Sequence, residues 1–549
     1  MGSKVLVGAV IAAGTVYSAL AGELPDVSEI ARLAREDAAV PVAPGRHNIS
    51  PFWNRYSVRF ISVPAFDFKE IKGAACYRFT VLDAASKVHV YTEARPDEPL
   101  SKVWDTLPVG FTTVSVEALD KDNNVLQDCG VRKFYRAAVF NGQYPGPVRD
   151  YRESAKLALE YIFNKPQVQS WRTTGKPDHS YDLYCYPSKI IASIISGMIR
   201  YAQLVPEKRA EALEIACKSA DYLISVSQAA GTPLEFMPPT YEGKARTAGT
   251  YAGQNMMIYP ALAGVSYLEL YQECGDRKYL EAALRIADTY CKLQLECGSW
   301  YLKLHEKDGS VVKPAFNEVP IGIAQGDISA LSDKPNMCVP NEIIPFLQMA
   351  YKVSSRQNYR AAADRAVEYI RNNVQKSFDW SGQFEDMFPT RPYANLTMHS
   401  AADFALYLLG CENIDAADKD LLRTLLRFSE DQFVVWADPM PAVNLRSRDW
   451  KLPGALEQYA YYIPIGASAS KMLGFYAAMH KRFGMPLDLA KAYALANAVT
   501  RGQHPETGRY YTYWENNWRS FDDEGWINCA VFDATMMLQF ADYIEKLKR

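Results

Sequence analysis

The chain has 549 residues, a formal net charge of −3, and 48% hydrophobic against 22% charged residues. This length predicts one large domain with an accessory domain, and the near-neutral charge excludes a nucleic-acid partner, which would require a basic surface. Aromatic residues are abundant, with 35 Tyr and 10 Trp, and such side chains suit ligand-stacking surfaces as well as cores.

The N-terminus has the pattern of an export signal. Lys4 precedes an apolar stretch from Val5 to about Ala21, and residues 19–21 fit a small-x-small cleavage site. Residues 1–21 are therefore predicted to be a signal peptide and 22–47 an N-terminal segment; the alternative is an N-terminus without a defined structure. No segment reaches the roughly 18 apolar residues of a membrane span. The predicted location is periplasmic or extracellular.

Cysteine and histidine do not form a recognisable framework. The ten Cys residues are scattered without a C-x-x-C pair, and several fall inside helical patterns, where a free Cys acts as a small apolar residue. The seven His residues are dispersed, and no phosphate-binding or zinc-protease motif is present. We therefore expect no metal and no cofactor.

Residues 48–140 alternate apolar and polar side chains with a period of two, which is typical of short strands. Turn clusters at 94–97 and 120–124 separate these runs. Short strands at this spacing predict a small antiparallel β-sandwich of immunoglobulin or fibronectin type. Residues 141–150, with Pro145 and Pro147, are predicted to be a linker.

From residue 151 to 549 the pattern changes to helical. Twelve helices are predicted, at 151–163, 188–204, 207–228, 258–273, 277–296, 341–353, 359–376, 397–410, 416–433, 468–481, 487–500 and 526–548. Connections alternate between short and long, and short ones imply antiparallel neighbours. One helix of each pair is apolar on most faces and the other has a single apolar stripe, which indicates an inner and an outer helix.

This alternation predicts a mainly α fold, an (α/α)6 toroid at 151–549 behind the small sandwich. Every long connection runs from an outer helix to the next inner one, so the six long loops are expected at one end of the ring. Long loops on a rigid scaffold are where binding and catalytic sites are built.

The long loops are rich in residues that bind sugars. Aromatic rings pack against the apolar faces of a pyranose, and carboxylates, amides and Arg hydrogen-bond its hydroxyls or a uronate carboxylate. Glycoside hydrolysis needs two carboxyl groups, one of them protonated. The predicted catalytic residues are Glu385, Asp386, Glu457 and Asp523. The predicted substrate-binding residues are Trp171, His179, Arg246, Tyr251, Asn255, Trp300, Arg391, Tyr393, His399, Arg448, Tyr459, Tyr462 and Trp514.

The layout, an exported chain with an N-terminal sandwich and an (α/α)6 toroid, resembles secreted bacterial glycan-degrading enzymes. It is similar to unsaturated glucuronyl hydrolases, other toroid glycosidases and toroid polysaccharide lyases. The resemblance implies the class, a glycan-degrading enzyme. From the loop residues, the first hypothesis is a glycoside hydrolase acting on an acidic, uronate-containing oligosaccharide or polysaccharide, with Asp386 or Glu385 as the acid and Glu457 or Asp523 as the partner carboxylate. Two alternatives stay open. One is a polysaccharide lyase with a Tyr or His base, for which Tyr251, Asn255, His399 and Arg448 are candidates. The other is a non-catalytic glycan-binding protein.

Overall fold

A computed structural model describes residues 25–42, 57–313, 335–385, 396–436, 452–459, 461–514 and 525–549. The predicted signal peptide at 1–21 lies outside these ranges. Within them, no helix is long and apolar enough to cross a bilayer.

The N-terminal part contains one helix and one sheet. Helix α1 (Val27–Ala39) begins at Asp26, whose side chain accepts from the Glu29 N–H. The sheet has the strand order β1-β5-β4-β2-β3. Its strands are β1 (Arg59–Phe60), β2 (Cys76–Leu82), β3 (Val88–Glu93), β4 (Gly110–Leu119) and β5 (Val125–Arg136). Strand β1 runs parallel to β5, and the other pairs are antiparallel.

One face of this sheet is buried and the other is open. On the buried face, Phe134 packs against Phe60 at 5.9 Å and Trp104 at 6.1 Å between ring centroids. On the other face Val90 and Val131 are exposed. The described residues place all five strands in a single sheet, so the predicted two-sheet sandwich is not shown. The period of two identifies the buried face of a strand, but it does not reveal whether a second sheet or a connecting segment covers that face.

The remaining described helices and short strands follow in chain order. The helices are α2 (Tyr151–Asn164), α3 (Pro166–Thr174), α4 (Pro187–Leu204), α5 (Arg209–Ser225), α6 (Pro260–Cys274), α7 (Arg277–Leu293), α8 (Ile343–Ser354), α9 (Gln357–Tyr369), α10 (Met398–Gly410), α11 (Ala416–Phe433), α12 (Gly466–Phe483), α13 (Pro486–Arg501) and α14 (Ile527–Lys548). Helix α9 continues through a π-helical turn, Ile370–Val374. The short strands are β6 (Gln254–Met256), β7 (Lys303–His305), β8 (Val434–Val435), β9 (Gly454–Gln458) and β10 (Tyr461–Pro464).

The helices form the predicted ring. Among the described residues, α4, α6, α8, α10, α12 and α14 make an inner ring, and each packs against an outer partner: α5, α7, α9, α11, α13 and α2, respectively. Helix α2 thus pairs with α14 and closes the circle, as the sequence predicted. Contacts between neighbouring inner helices include Arg200 with Glu269 at 2.9 Å and the Gln348 amide with the Tyr407 hydroxyl at 3.2 Å.

Close packing inside the ring depends on small residues. At Gly264 of α6 an added Cβ would lie 2.2 Å from the ring of Phe346 in α8. No real Cβ contact is that short, so a side chain at this position would push the two inner helices apart.

The long connections join each outer helix to the next inner one and span 165–186, 226–259, 294–342, 378–397, 434–465 and 502–526. Their described parts lie at one end of the ring, where the inner helices begin. Strand β6 pairs with β7 between the second and third connections, and β8, β9 and β10 pair within the fifth. This end of the ring is therefore the place to look for a site.

The sheet docks onto the outer helix α11 through a buried carboxylate. Asp431 Oδ1 accepts from the backbone N–H groups of Ile61 at 2.7 Å and Ser62 at 2.6 Å. The Arg59 guanidinium donates in turn to the carbonyls of Asp431 at 3.1 Å and Val434 at 2.9 Å, at the end of the helix. We call these contacts the Asp431 clasp.

Candidate functional site

A buried ion pair lies at the centre of the loop end. Lys189, in the first turn of α4, donates to both oxygens of Glu385 at 2.7 and 2.9 Å. The hydroxyl of Tyr259, directly before α6, donates to the same carboxylate at 2.5 Å. The Glu385 backbone carbonyl accepts from the Tyr241 hydroxyl at 2.7 Å. Lys189, Tyr259 and Glu385 are the Glu385 cluster.

These contacts fix the charge of Glu385. Burial opposes its ionisation, but the ammonium of Lys189 and the hydrogen bond from Tyr259 outweigh burial and lower the pKa of the carboxyl. Its side chain is only 2% exposed, and both oxygens have partners. Glu385 is therefore an ionised, enclosed carboxylate. An ionised carboxylate cannot donate a proton, so these contacts favour a charge-pairing role for Glu385; its role as catalytic acid stays a prediction.

A second group of polar side chains surrounds the starts of α8, α10 and α12. Lys471 of α12 pairs with Asp403 of α10. His399, in the first turn of α10, lies 3.1 Å from the Ser468 hydroxyl through its Nε2. Glu342 stands immediately before α8 and is partly exposed. Glu342, His399, Asp403 and Lys471 are the Glu342 cluster.

Glu342 has the properties of a proton donor at neutral pH. Burial, together with the charge of Asp403, raises the pKa of Glu342 to about 7. A carboxyl group with such a pKa is still protonated in a useful fraction near pH 7, which is how enzymes obtain a general acid from a glutamate. Unlike Glu385, Glu342 forms no ion pair with another residue in the described ranges, and the residue is not fully enclosed.

His399 is neutral in this environment. Burial and the positive charges of Lys471 and Lys189 lower the pKa of the imidazole well below its ordinary value. The charge of Glu342 in turn contributes to the raised pKa of Tyr259. The Glu385 and Glu342 clusters therefore influence each other electrostatically and belong to one site.

An aromatic residue with two cations borders the Glu385 cluster. The indole of Trp526, just before α14, stacks on Tyr186 with centroids 5.9 Å apart and planes at 9°. Lys189 Nζ lies 4.5 Å and Arg246 Cζ 5.5 Å from the Trp526 ring centroid. Arg246 itself is exposed. This corner thus combines a flat apolar ring with positive charge.

Several predicted sugar-binding residues are packing residues instead. Trp171 lies in α3 and is fully buried, with its Nε1–H donated to the Tyr184 hydroxyl at 2.8 Å. Trp300 is 1% exposed and donates to the Tyr290 carbonyl at 2.8 Å. Asn255 is fully buried and donates to the Pro238 carbonyl at 3.0 Å. A residue that contacts a ligand needs an accessible side chain, so the burial of these three residues favours packing roles over the predicted binding roles.

Three further aromatic residues are also mostly enclosed. Tyr251 carries Lys303 Nζ 3.5 Å from its ring centroid and is 4% exposed. Tyr459 is 8% exposed and donates to Gln432 at 2.9 Å beside the Asp431 clasp. Trp514 is 2% exposed, next to the start of α12. Their burial favours structural roles. Tyr459 would stabilise the junction between the sheet and the ring.

The other predicted residues have mixed outcomes. Glu457 lies in β9, partly exposed, and its carbonyl accepts from the hydroxyl of Thr397 at the start of α10, so it remains a candidate beside His399. His179 is exposed on the first loop, away from both clusters. Asp386, Arg391, Tyr393, Arg448, Asp523 and the side chain of Tyr462 lie outside the described residues.

Sequence reasoning missed five central residues: Lys189, Tyr259, Glu342, Asp403 and Lys471. All of them lie directly before an inner helix or in its first two turns. A signal was present, since charged residues are rare in helices that are otherwise apolar on most faces. Searching the starts of the inner helices, rather than the loops alone, would have found them.

Comparisons with known proteins give structural likeness only. No protein-family model and no curated protein matches the chain. Among solved structures, cellobiose 2-epimerase from Spirochaeta thermophila has a TM-score of 0.50 at 11% identity, covering 74% of this chain and all 100% of that chain. A family 76 glycoside hydrolase from a bovine Bacteroides thetaiotaomicron strain has a TM-score of 0.43 at 9% identity, with 85% and 93% covered. An unsaturated glucuronyl hydrolase from a Bacillus species has a TM-score of 0.32 at 16% identity, with 50% and 71% covered.

The names of these proteins describe enzymes that act on sugars. At such identities the likeness to the epimerase shows a shared fold and nothing more about this chain. It agrees, at the level of the fold, with the resemblance drawn from the helical layout.

Proposed function

We propose that this protein is a carbohydrate-active enzyme, and specifically a glycoside hydrolase for a uronate-containing glycan. The observation that carries the proposal is Glu342, a residue of intermediate exposure at the loop end of the ring, where burial of the carboxyl group raises its pKa to about 7. Such a group can protonate a glycosidic oxygen as the bond to the leaving sugar breaks.

The ionised partner in this reaction is Asp403 or Glu457. Asp403 forms an ion pair with Lys471. Glu457 lies beside the start of α10. Either carboxylate can stabilise the positive charge that develops on the sugar ring or activate a water molecule. The exposed guanidinium of Arg246, which lies against the Trp526 ring, suits the carboxylate of a uronate.

A second candidate rests on His399. A neutral imidazole next to lysine charge can remove a proton from carbon, because the positive charge stabilises the enolate that forms. A polysaccharide lyase and a sugar epimerase both require this step. The two candidates differ in their products, so experiment can separate them.

The test is incubation of the purified protein with defined uronate-containing oligosaccharides and with neutral ones, followed by mass spectrometry and ultraviolet absorbance. Hydrolysis adds one water to the products, a lyase creates an absorbing double bond, and an epimerase changes neither mass nor absorbance but gives a new isomer by NMR.

For the hydrolase, Glu342→Gln should lower turnover by about a hundredfold or more, and activity should fall as the pH rises through 7, because the acid form is lost. The matched control is Glu281→Gln, which changes an exposed residue of α7 far from the loops. Full activity in Glu342→Gln would refute the assignment. Loss of activity in His399→Ala, with an unsaturated or isomerised product, would support the second candidate. Binding of these sugars without turnover would support a glycan-binding protein.

A further inference from the structure

A groove of about 750 Å³ opens at the rim of the ring, on its outer side. It is lined by the end of α3 with the turn that follows it, by the last turns of the outer helix α5, and by Glu242 in the second long loop. His179, which the sequence predicts to bind substrate, lies on its wall.

The groove adjoins the central site but is separate from it. Tyr241 and Glu242 are consecutive residues that serve the two sites. The Tyr241 hydroxyl donates to the Glu385 carbonyl at 2.7 Å, in the Glu385 cluster. The Glu242 carboxylate instead accepts from the Tyr222 hydroxyl at 2.7 Å, in the groove. A ligand in the groove and a ligand in the central site would therefore lie on either side of the same short loop segment.

One carboxylate oxygen of Glu242 has no hydrogen-bond partner among the residues that the structure describes. Oε1 is bound by Tyr222, whereas Oε2 is shielded from solvent and accepts no hydrogen bond from any residue in the described ranges. A buried carboxylate oxygen without a donor is unfavourable, so a ligand hydroxyl that donates to it would be bound with a gain in stability. The protein supplies no hydrogen-bond donor to Glu242 Oε2, so we expect the ligand to supply one.

The charged residues that line the groove balance in sign, with Lys176 and Lys218 against Asp221 and Glu242, and two of them are paired within the protein. Lys218 lies 3.0 Å from Glu214, and Asp221 lies 2.8 Å from Lys278. These pairs leave the groove without a strong field of either sign. An anionic or cationic ligand therefore gains little here, and a neutral ligand with many hydroxyls fits better.

An aromatic ring is held in place on the same wall. The ring of Tyr222 lies edge-on to the buried Trp171, with centroids 5.5 Å apart at 65°. The hydroxyl of Tyr222 is fixed at the same time by Glu242. An aromatic ring fixed at both ends is a platform for the C–H face of a pyranose. Trp171 thus supports a sugar-binding residue without touching the sugar itself.

We propose that this groove is a second saccharide site, which binds a neutral hexose unit outside the central site through the Glu242 carboxylate and the Tyr222 ring. The inference deepens the proposed function, because it extends the ligand of the central site to a glycan of several units. It predicts that longer glycans bind more tightly than a disaccharide.

The test measures binding of cellohexaose and mannohexaose that each carry one terminal uronate unit, by isothermal titration calorimetry, with the corresponding uronate-terminated disaccharides for comparison. All proteins carry Glu342→Gln, so that no turnover occurs. Adding Glu242→Gln, which removes the charge but keeps the shape, should weaken hexasaccharide binding by about tenfold, as expected for the loss of one charge-assisted hydrogen bond. Tyr222→Phe keeps the ring and should have a smaller effect, Tyr222→Ala a larger one, and Glu281→Gln none. Circular dichroism and the unfolding midpoint check that each variant is folded.

Unchanged hexasaccharide affinity in both Glu242→Gln and Tyr222→Ala would overturn the proposal, as would the absence of binding of either hexasaccharide to the Glu342→Gln protein. The outcome is separable from that of the proposed function. Binding that depends on Glu242 supports the groove even if no sugar is hydrolysed. Hydrolysis that does not respond to Glu242 refutes the groove and leaves the central assignment intact.

Discussion

The substitution Glu385→Gln tests whether Glu385 holds the centre of the ring together or performs chemistry. The change removes one negative charge and keeps the shape of the side chain. Tyr259 can still donate to the amide oxygen, but Lys189, whose side chain is 15% exposed, loses both of its charged contacts. Removing one partner of a buried ion pair costs about 3–5 kcal/mol. We expect about 3 kcal/mol, the lower end, because water reaches Lys189.

The assay is urea unfolding followed by circular dichroism at pH 7, with Glu281→Gln as the control. A double-mutant cycle with Lys189→Met measures the interaction energy between Lys189 and Glu385. Removing both charges together leaves no unpaired charge in the interior. The double variant should be more stable than the sum of the single effects predicts, by about 2 kcal/mol. Additive effects within about 0.5 kcal/mol would refute the reasoning.

The pH dependence gives an independent check. The pKa of Glu385 is lower in the folded protein than in the unfolded chain. The stabilisation from its charge is therefore present above the ordinary pKa of a glutamate, about 4.3, and is lost as the pH falls through the lowered value. The unfolding midpoints of the wild type and Glu385→Gln should converge in acid and stay apart at neutral pH.

Three further predictions concern stability. Gly264→Ala should destabilise the protein by about 1–3 kcal/mol, because its methyl group would overlap the ring of Phe346. Gly410→Ala is the control, since a methyl group there meets open space and should not destabilise the protein. Equal unfolding midpoints for the two variants would contradict the prediction. Asp431→Ala leaves two buried backbone N–H groups of the clasp without an acceptor and should lower the free energy of unfolding, measured in urea, by about 3 kcal/mol. The control Asp420→Ala changes an exposed residue of the same helix and should leave that free energy unchanged. All ten cysteines are free, so dithiothreitol should leave the thermal midpoint unchanged, and a shift would reveal a disulfide.

The sequence alone determined the ring. Its twelve helices, their pairing and the gathering of the long loops at one end follow from periodicity and from the alternation of short and long connections, which are local properties of the chain. The helix α10 shows this well, since it is predicted at 397–410 and found at Met398–Gly410. Helix α1 and the single-layer sheet were not predicted, because short or half-exposed elements give weak patterns.

The charge state of the acids was decided by the tertiary structure. Glu385 looked like a catalytic acid in its loop, but Lys189, 196 residues away in the chain, makes it an ionised partner. Glu342 could be noticed by its place before an inner helix, but its pKa near 7 arises from burial and from Asp403 on α10. The pKa of a carboxyl group depends on what surrounds it within a few ångströms. Those neighbours come from distant parts of the chain, so only the folded ring brings them together.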